Sequence, residues 1–80
     1  MSKYNPLQFY LRSCEIREVT LKVNDIEEIL GFDLPDTAYK RSAWWGNNAN
    51  GHSQANSWLD SGYNTKDIKL GESVTFIKVN

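Results

Sequence analysis

The chain has little of what small proteins commonly use for covalent crosslinks or for metal chemistry. Its 80 residues include one cysteine, Cys14, and one histidine, His52. A single cysteine excludes an internal disulfide and indicates a reducing compartment, so we expect a cytoplasmic protein. Because zinc sites generally draw on several cysteine and histidine side chains, we expect this chain to hold no metal and no cofactor.

Long apolar runs and an excess of one charge are also missing. No run approaches the roughly 20 apolar residues of a membrane span, and the first residues do not resemble a signal peptide, so we expect no membrane partner. The net charge is −1, which gives the whole chain no general attraction for nucleic acid. The distribution is uneven, however. From Thr37 to Leu59 there is no acidic residue, and this stretch contains Lys40, Arg41 and all three tryptophans.

What the chain does have is aromatic residues in a short, otherwise ordinary globular composition. Three Trp, four Tyr and three Phe occur with 40% hydrophobic and 24% charged residues. Each aromatic side chain buries roughly 150 to 250 Å² when enclosed, which compensates for the small core of so short a chain. The sequence therefore predicts one folded domain over residues 1–80.

The first half of the chain predicts a helix over residues 6–13, a strand over 18–23, a helix from 24 to 31 and a short helix from 35 to about 41. Asn5 is the expected N-cap of the first helix, because proline follows it at the first helical position. Asn24 and Glu27 have the spacing of a capping box for the second long helix. Gly31 is expected to end that helix in a left-handed conformation.

The second half predicts a short strand over 43–45, a helix, and two strands over about 64–70 and 73–79 with a tight turn at 71–72. Ser53 is the expected cap of the helix, and Gly62 its stop. The last strand has apolar residues on both faces and is expected inside the sheet. The fold class predicted is α+β, with short helices packed on a small, mostly antiparallel sheet of three to four strands.

Residues 23–41 have the rhythm of a helix-turn-helix: a capped helix, a glycine, and a second helix ending in Lys40 and Arg41. In a DNA-binding unit the second helix would enter the major groove, and the later hairpin would fit a winged variant. The alternative is a purely structural helical corner, since the second helix is short and acidic residues lie nearby.

A second pattern surrounds the tryptophan pair. On a strand, adjacent side chains face opposite sides, so we expect one of Trp44 and Trp45 to cover a second surface. Exposed rings beside amides and cations are typical of base stacking and base recognition. Alternatively, one tryptophan fills the core against Trp58 and the other lies under the loop with its indole N–H bonded to a carbonyl. The candidate nucleic-acid-binding residues are Lys40, Arg41, Trp44, Trp45, Asn47, Asn48, His52 and Gln54.

No catalytic pattern is present. His52 has a side chain suited to proton transfer near neutral pH, but no nucleophile pairs with it, and a polar role in the loop or toward a ligand explains it better. The sequence contains no recognisable paired carboxylates, phosphate-binding glycine loop or nucleophile motif. We therefore expect no catalytic residues and no enzyme activity.

The sequence resembles a family of small uncharacterised bacterial domains over nearly its whole length. The similarity is carried by Tyr4-x-Pro6-Leu7, Asp25-Ile-Glu-Glu-Ile-Leu-Gly31 with Leu34-Pro35, Ala43-Trp-Trp45-x-Asn47, His52-x-Gln54-Ala55 and Trp58-Leu59-x-x-Gly62. The resemblance implies Trp44, Trp45, Asn47, His52 and Gln54 as site residues, and a tie to DNA-handling proteins. Tyr63 stands where the family usually has tryptophan, and we expect it to keep the same packing role.

These observations favour a small non-enzymatic nucleic-acid-binding domain, with DNA as the expected partner. Lys40 and Arg41 would hold phosphates, one tryptophan would stack, and the amides and His52 would make polar contacts. The alternative is a protein-interaction module, an inhibitor or a regulatory subunit, that presents an aromatic patch to a protein partner, because Trp, Tyr and Arg are favoured at protein interfaces.

Overall fold

A computed structural model describes residues 2–48 and 53–79 of the chain. In these ranges the elements are α1 (Asn5–Ser13), β1 (Glu18–Lys22), α2 (Val23–Leu30), α3 (Asp36–Lys40), a 3-10 helix (Ser42–Trp45), α4 (Ala55–Leu59), β2 (Tyr63–Lys69) and β3 (Ser73–Lys78). The predicted α+β class with an antiparallel sheet is confirmed. Among the helices of the described ranges, none combines the length and apolar character needed to cross a membrane.

The sheet has three strands in the order β1-β3-β2, and both pairings are antiparallel. The central position of β3 confirms the expectation drawn from the apolar residues on its two faces. Phe76 of β3 lies opposite Val19 on one side and Thr65 on the other. Residues opposite each other in a ladder point to the same face, so these three side chains define the inner face of the sheet.

The helices supply the other half of the core. Leu7 and Leu11 of α1, Ile26 of α2 and Trp58 of α4 are buried in one cluster with Phe76, and the Trp58 and Phe76 rings lie 5.9 Å apart. The outer face of the sheet is mostly polar, although Ile77 of β3 also lies there. There the Thr20 and Thr75 hydroxyl oxygens lie 2.8 Å apart, and Lys66 Nζ lies 3.0 Å from a Glu18 carboxylate oxygen.

The start of α1 differs by one residue from the prediction. Asn5 is the first helical residue rather than the cap, and Tyr4 occupies the N-cap position. The cause is a turn before the helix, in which the Asn5 N–H donates to the Ser2 carbonyl (3.1 Å) and the Tyr4 N–H donates to the Ser2 hydroxyl (3.1 Å). Pro6 still lies in the first turn, as expected.

The predicted capping box at α2 is wrong. The helix begins at Val23, directly after β1 and with no side-chain cap, because the Val23 N–H donates to the Glu72 carbonyl (2.8 Å) as the ladder ends. The Glu27 carboxylate turns away from the helix start. It accepts hydrogen bonds from the Leu34 N–H (2.8 Å) and the Tyr39 hydroxyl (2.6 Å), and so joins α2 to the segment that follows it.

The strand predicted over Ala43–Trp45 is also wrong, because these residues form the 3-10 helix. The Trp44 N–H donates to the Arg41 carbonyl (3.1 Å) and the Gly46 N–H to the Ala43 carbonyl (3.0 Å), which are bonds within one turn. The expectation that Trp44 and Trp45 face opposite sides of a strand therefore fails. Ser53 likewise does not cap α4 through its side chain, since Gln54 holds the cap position and makes no side-chain cap bond.

The two helices and the turn of the helix-turn-helix prediction are present as α2, residues 31–35 and α3. The second helix has five residues, and at about 1.5 Å per residue it is roughly 7.5 Å long. The β2–β3 hairpin expected as a wing is part of the same sheet as β1. A role for α3 in reading DNA stays a prediction.

Gly31 ends α2 with φ 83°, as the sequence predicts. A Cβ added there would meet nothing within 4 Å, so only backbone strain would penalise a side chain. We expect Gly31→Ala to lower the free energy of unfolding by about 1 kcal/mol, and Gly31→Asn by less, because asparagine tolerates this conformation. Urea unfolding of the three proteins measures this. Equal stability of all three would show that the strain is relieved by a shift of the helix end.

Candidate functional site

Trp45 belongs to the core. Its side chain is 1% exposed, and its ring stacks on Trp58 with centroids 6.0 Å apart and planes at 24°. The indole N–H donates to the Ala38 carbonyl (2.8 Å), which satisfies the one polar atom of a buried ring. Of the two roles considered for a tryptophan, base stacking or core packing against Trp58, Trp45 has the second. Its buried ring has no exposed face on which a base could stack.

Trp44 lies on the outer side of the same aromatic cluster. Its half-buried ring meets Trp45 edge to face at 4.7 Å and Tyr4 at 6.0 Å. Tyr4 in turn meets Phe32 at 5.8 Å, and the Lys3 ammonium lies 5.2 Å from the centre of the Phe32 ring. We call Phe32, Tyr4 and Trp44 the aromatic row. Both tryptophans thus join one cluster, with Trp45 inside and Trp44 at its surface.

The side-chain amide of Asn47 hydrogen-bonds to the edge of the sheet. Its Nδ2 donates to the Thr65 carbonyl (3.1 Å), and its Oδ1 accepts from the Thr65 N–H (2.8 Å). The Thr65 hydroxyl donates to the Trp45 carbonyl and contacts Asn47 Oδ1 at 3.1 Å. The side chain of Asn47 therefore pairs with β2 as a neighbouring strand would, and its amide fixes the fold rather than facing a ligand.

Gln54 has a similar supporting position. It is 6% exposed, and its Nε2 donates to the Trp44 carbonyl (3.1 Å). This bond joins the start of α4 to the 3-10 helix. The polar side chain predicted to recognise a ligand thus holds the backbone of the residue that carries the half-exposed ring.

The remaining predicted residues fall into two groups. Lys40 and Arg41 are exposed at the end of α3, and the Arg41 carbonyl bonds to the Trp44 N–H, so Arg41 lies one turn before Trp44. We call Lys40, Arg41 and Trp44 the cationic corner. Asn48 is exposed. His52 lies outside the described residues.

Sequence reasoning missed the far end of the aromatic row. Phe32 follows Gly31 directly, at the position where an apolar residue commonly folds back against a helix end, and this spacing is a signal that could have identified it. A cleft of about 430 Å³ opens beside Phe32 and is lined by Glu27, Glu28 and Asp33 among others. The row therefore runs from Phe32, which has this acidic cleft beside it and the Lys3 ammonium over its ring, to the cationic corner.

No candidate metal-binding cluster accompanies this surface in the described ranges. Residues 2–48 and 53–79 contain no group of three or more His, Cys, Asp or Glu side chains that could hold a metal ion. What the arrangement offers chemically is an aromatic surface with the Lys3 ammonium over Phe32 at one end. At the other end, the exposed Lys40 and Arg41 precede Trp44 in the chain.

The tryptophan pair, Asn47 and Gln54 belong to one connected framework of ring contacts and hydrogen bonds. A family model described as a domain of unknown function, DUF7662, matches residues 4–80. The chain belongs to this family. Searches of curated proteins and of solved structures gave no match.

The contact between Asn47 and Thr65 is open to a direct test in this DUF7662 domain. We expect Asn47→Ala to lower the free energy of unfolding by about 2 kcal/mol, because two backbone groups of β2 lose a partner. Asn47→Asp keeps an acceptor for the Thr65 N–H but places a carboxylate oxygen against the Thr65 carbonyl oxygen. It should therefore destabilise the fold as well. Chemical denaturation, with the exposed Asn56→Ala as control, measures both. Wild-type stability of Asn47→Ala would contradict the supporting role.

The Tyr39–Glu27 hydrogen bond predicts an effect at alkaline pH. Donation to the Glu27 carboxylate, together with burial, raises the pKa of Tyr39 from 10.0 to about 12. The folded state therefore favours the neutral phenol, and this stability is present below pH 10 and is lost as the pH rises toward 12.

We expect Tyr39→Phe to be less stable than wild type at neutral pH, with a difference that narrows between pH 10 and about 12. Urea unfolding across this range measures the difference, and the other tyrosines cancel because both proteins contain them. A difference that stays constant through this range would show that the hydroxyl titrates normally.

Proposed function

We propose that this DUF7662 domain is a small, cytoplasmic, non-enzymatic nucleic-acid-binding domain, with DNA as its partner, that contacts its ligand through the cationic corner. The observation that carries the proposal is the position of two exposed cations one turn from a half-exposed indole, within a stretch that has no acidic residue from Thr37 to Leu59. Cations that hold phosphate beside a ring that stacks on a base are the parts that sequence-tolerant nucleic-acid binding requires.

The roles within the corner follow from the side chains. Arg41 presents a planar guanidinium suited to bidentate contact with a phosphate, and Lys40 adds a point charge. The Trp44 ring would stack on one base, a contact that contributes roughly 1 to 3 kcal/mol. Asn48 and His52 keep the proposed role of polar contacts. Trp45, Asn47 and Gln54 act through the framework that holds Trp44 in place.

The same geometry limits how a nucleic acid could lie. The cleft at the Phe32 end is lined by Glu27, Glu28 and Asp33, and these carboxylates would repel phosphates. The backbone of the ligand should therefore leave the surface before it reaches Phe32. With α3 only five residues long, we propose contact at the corner rather than insertion of α3 as a recognition helix.

A protein-interaction module is the second candidate, and one feature of the aromatic row favours it. The row has an acidic cleft at one end, and the net charge is −1, so the surface suits a protein partner with a basic and apolar segment. Half-exposed Trp and Phe side chains are common anchors of such contacts. A partner of this kind would cover Phe32, whereas a nucleic acid would avoid it.

Titration of labelled single- and double-stranded oligonucleotides at low salt tests the first proposal. We expect binding that weakens as salt rises, with Arg41→Ala and Lys40→Ala each lowering affinity and reducing the slope of log affinity against log salt by about one. Lys66→Ala removes the same charge from the outer face of the sheet, where it contacts Glu18, and should leave binding unchanged.

Trp44→Leu should also weaken binding, because it removes the ring that stacks on a base. Trp44→Phe retains a ring and should weaken binding less than Trp44→Leu does. Circular dichroism of each variant checks that the fold is kept. Absence of binding to every oligonucleotide at low salt, or an equal loss with Lys66→Ala, would overturn the proposal.

A further inference from the structure

The two edges of the sheet differ in whether their outward backbone groups are hydrogen-bonded. On β2, the Asn47 side chain occupies the N–H and carbonyl of Thr65 (2.8 and 3.1 Å), so a further strand cannot add there without displacing it. On β1, no hydrogen bond from the described residues reaches the outward backbone groups of Glu18–Lys22. An unprotected edge presents a row of donors and acceptors that can pair with another strand.

The register tells which groups of β1 point outward. The Lys78 N–H donates to the Arg17 carbonyl (2.7 Å), and the Val23 N–H donates to the Glu72 carbonyl (2.8 Å), just beyond the two ends of the β1–β3 pairing. Hydrogen-bonded pairs alternate along an antiparallel ladder. Val19 and Leu21 therefore direct their backbone groups to β3, and Glu18, Thr20 and Lys22 direct theirs to the open edge.

The side chains along β1 are complementary to those of a second, antiparallel copy of the same strand. The strand reads Glu-Val-Thr-Leu-Lys. If a second copy pairs antiparallel about Thr20, each outward-directed residue meets another: Thr20 meets the partner's Thr20, and Glu18 meets the partner's Lys22. Residues that direct both backbone groups to the edge form hydrogen-bonded pairs, and opposite charges directly across an antiparallel pair stabilise it.

We propose that the free edge of β1 is a homodimer interface, in which two copies of the chain join β1 to β1 in antiparallel register centred on Thr20. The partner is a second copy of this chain rather than another protein, because the edge supplies its own charge complement. The sheet of each copy would continue into the other and form six strands about a twofold axis. Such an interface is isologous, the commonest form of closed assembly.

The inner face supports the same register. In this pairing Val19 faces the partner's Leu21, and such pairs lie between the hydrogen-bonded ones, where side chains approach most closely. Val19 is only partly buried in one copy, whereas Leu21 is 6% exposed. Pairing would cover the remaining apolar surface of Val19 and extend the apolar layer of the core across the axis.

The outer face is compatible as well. One Glu18 carboxylate oxygen lies 3.0 Å from Lys66 Nζ within the same copy, and the partner's Lys22 would approach from the opposite side of the strand. A carboxylate has two oxygens and can accept from both ammonium groups. Because the β2 edge is closed by Asn47, pairing stops at two copies and does not continue into a fibre.

Sedimentation equilibrium over a range of protein concentrations tests the interface. We expect a concentration-dependent mass that approaches twice that of one chain. Glu18→Lys and Lys22→Glu should each raise the dissociation constant about tenfold or more, because each creates two like-charge pairs across the axis. The double variant Glu18→Lys/Lys22→Glu restores opposite charges and should return the dissociation constant close to the wild-type value.

Asp60→Lys is the matched control, since it makes the same charge change at an exposed residue after α4, and it should leave the mass unchanged. Circular dichroism confirms that each variant folds. A wild-type chain that stays monomeric at every concentration would overturn the proposal. So would a double variant that dissociates as fully as the single ones, or an equal effect of Asp60→Lys.

Amide hydrogen exchange tests the register itself on the unmodified chain. Raising the concentration should slow exchange at Glu18, Thr20 and Lys22 in proportion to the dimer population, while Val19 and Leu21, already bonded to β3, should change little. Unchanged exchange at Thr20 while the mass doubles would place the interface elsewhere and overturn the proposal.

Discussion

The bonds between Asn47, Thr65 and Trp45 are the contact on which most of this domain depends. A strand edge exposes backbone groups that need partners, and here one side-chain amide supplies both a donor and an acceptor to Thr65. The Thr65 hydroxyl bonds to the Trp45 carbonyl as well. Together these bonds hold the end of the 3-10 helix against β2, which lets the Trp45 ring enter the core and stack on Trp58.

These internal bonds reduce the number of residues in the tryptophan-rich segment that are available to a ligand. Residues that combine rings, amides and cations suggest a ligand surface, yet Trp45, Asn47 and Gln54 mainly hold one another and the backbone. Of the cations and rings in this segment, Lys40 and Arg41 are exposed and Trp44 is half-buried. A functional role of the segment is thus concentrated in the cationic corner, and the bonded side chains of Trp45, Asn47 and Gln54 hold that corner in place.

Much of the fold could be predicted because its signals are local. Gly31 adopts a positive φ where α2 ends, and Gly62 does so three residues after the end of α4. The alternating residues 18–22 form a strand, and the apolar faces of β3 place it in the centre of the sheet. The site could be predicted only in part. The sequence predicts a strand where Ser42–Trp45 form a 3-10 helix, because so few residues cannot distinguish the two periodicities. It also predicts a cap role for Glu27, whereas the Glu27 carboxylate binds Tyr39 and Leu34.

The sequence by itself determined the class of fold, the order of the α-helices and of the three sheet strands, and the presence of an acid-free aromatic segment, because these follow from composition and from spacing over a few residues. Only the tertiary structure decided which tryptophan is buried and which polar side chains are already bonded. Those outcomes depend on partners far along the chain, such as Thr65 for Asn47 and Trp58 for Trp45. A hydrogen-bonding group is available to a ligand only when the fold has not satisfied it, and no local pattern contains that information.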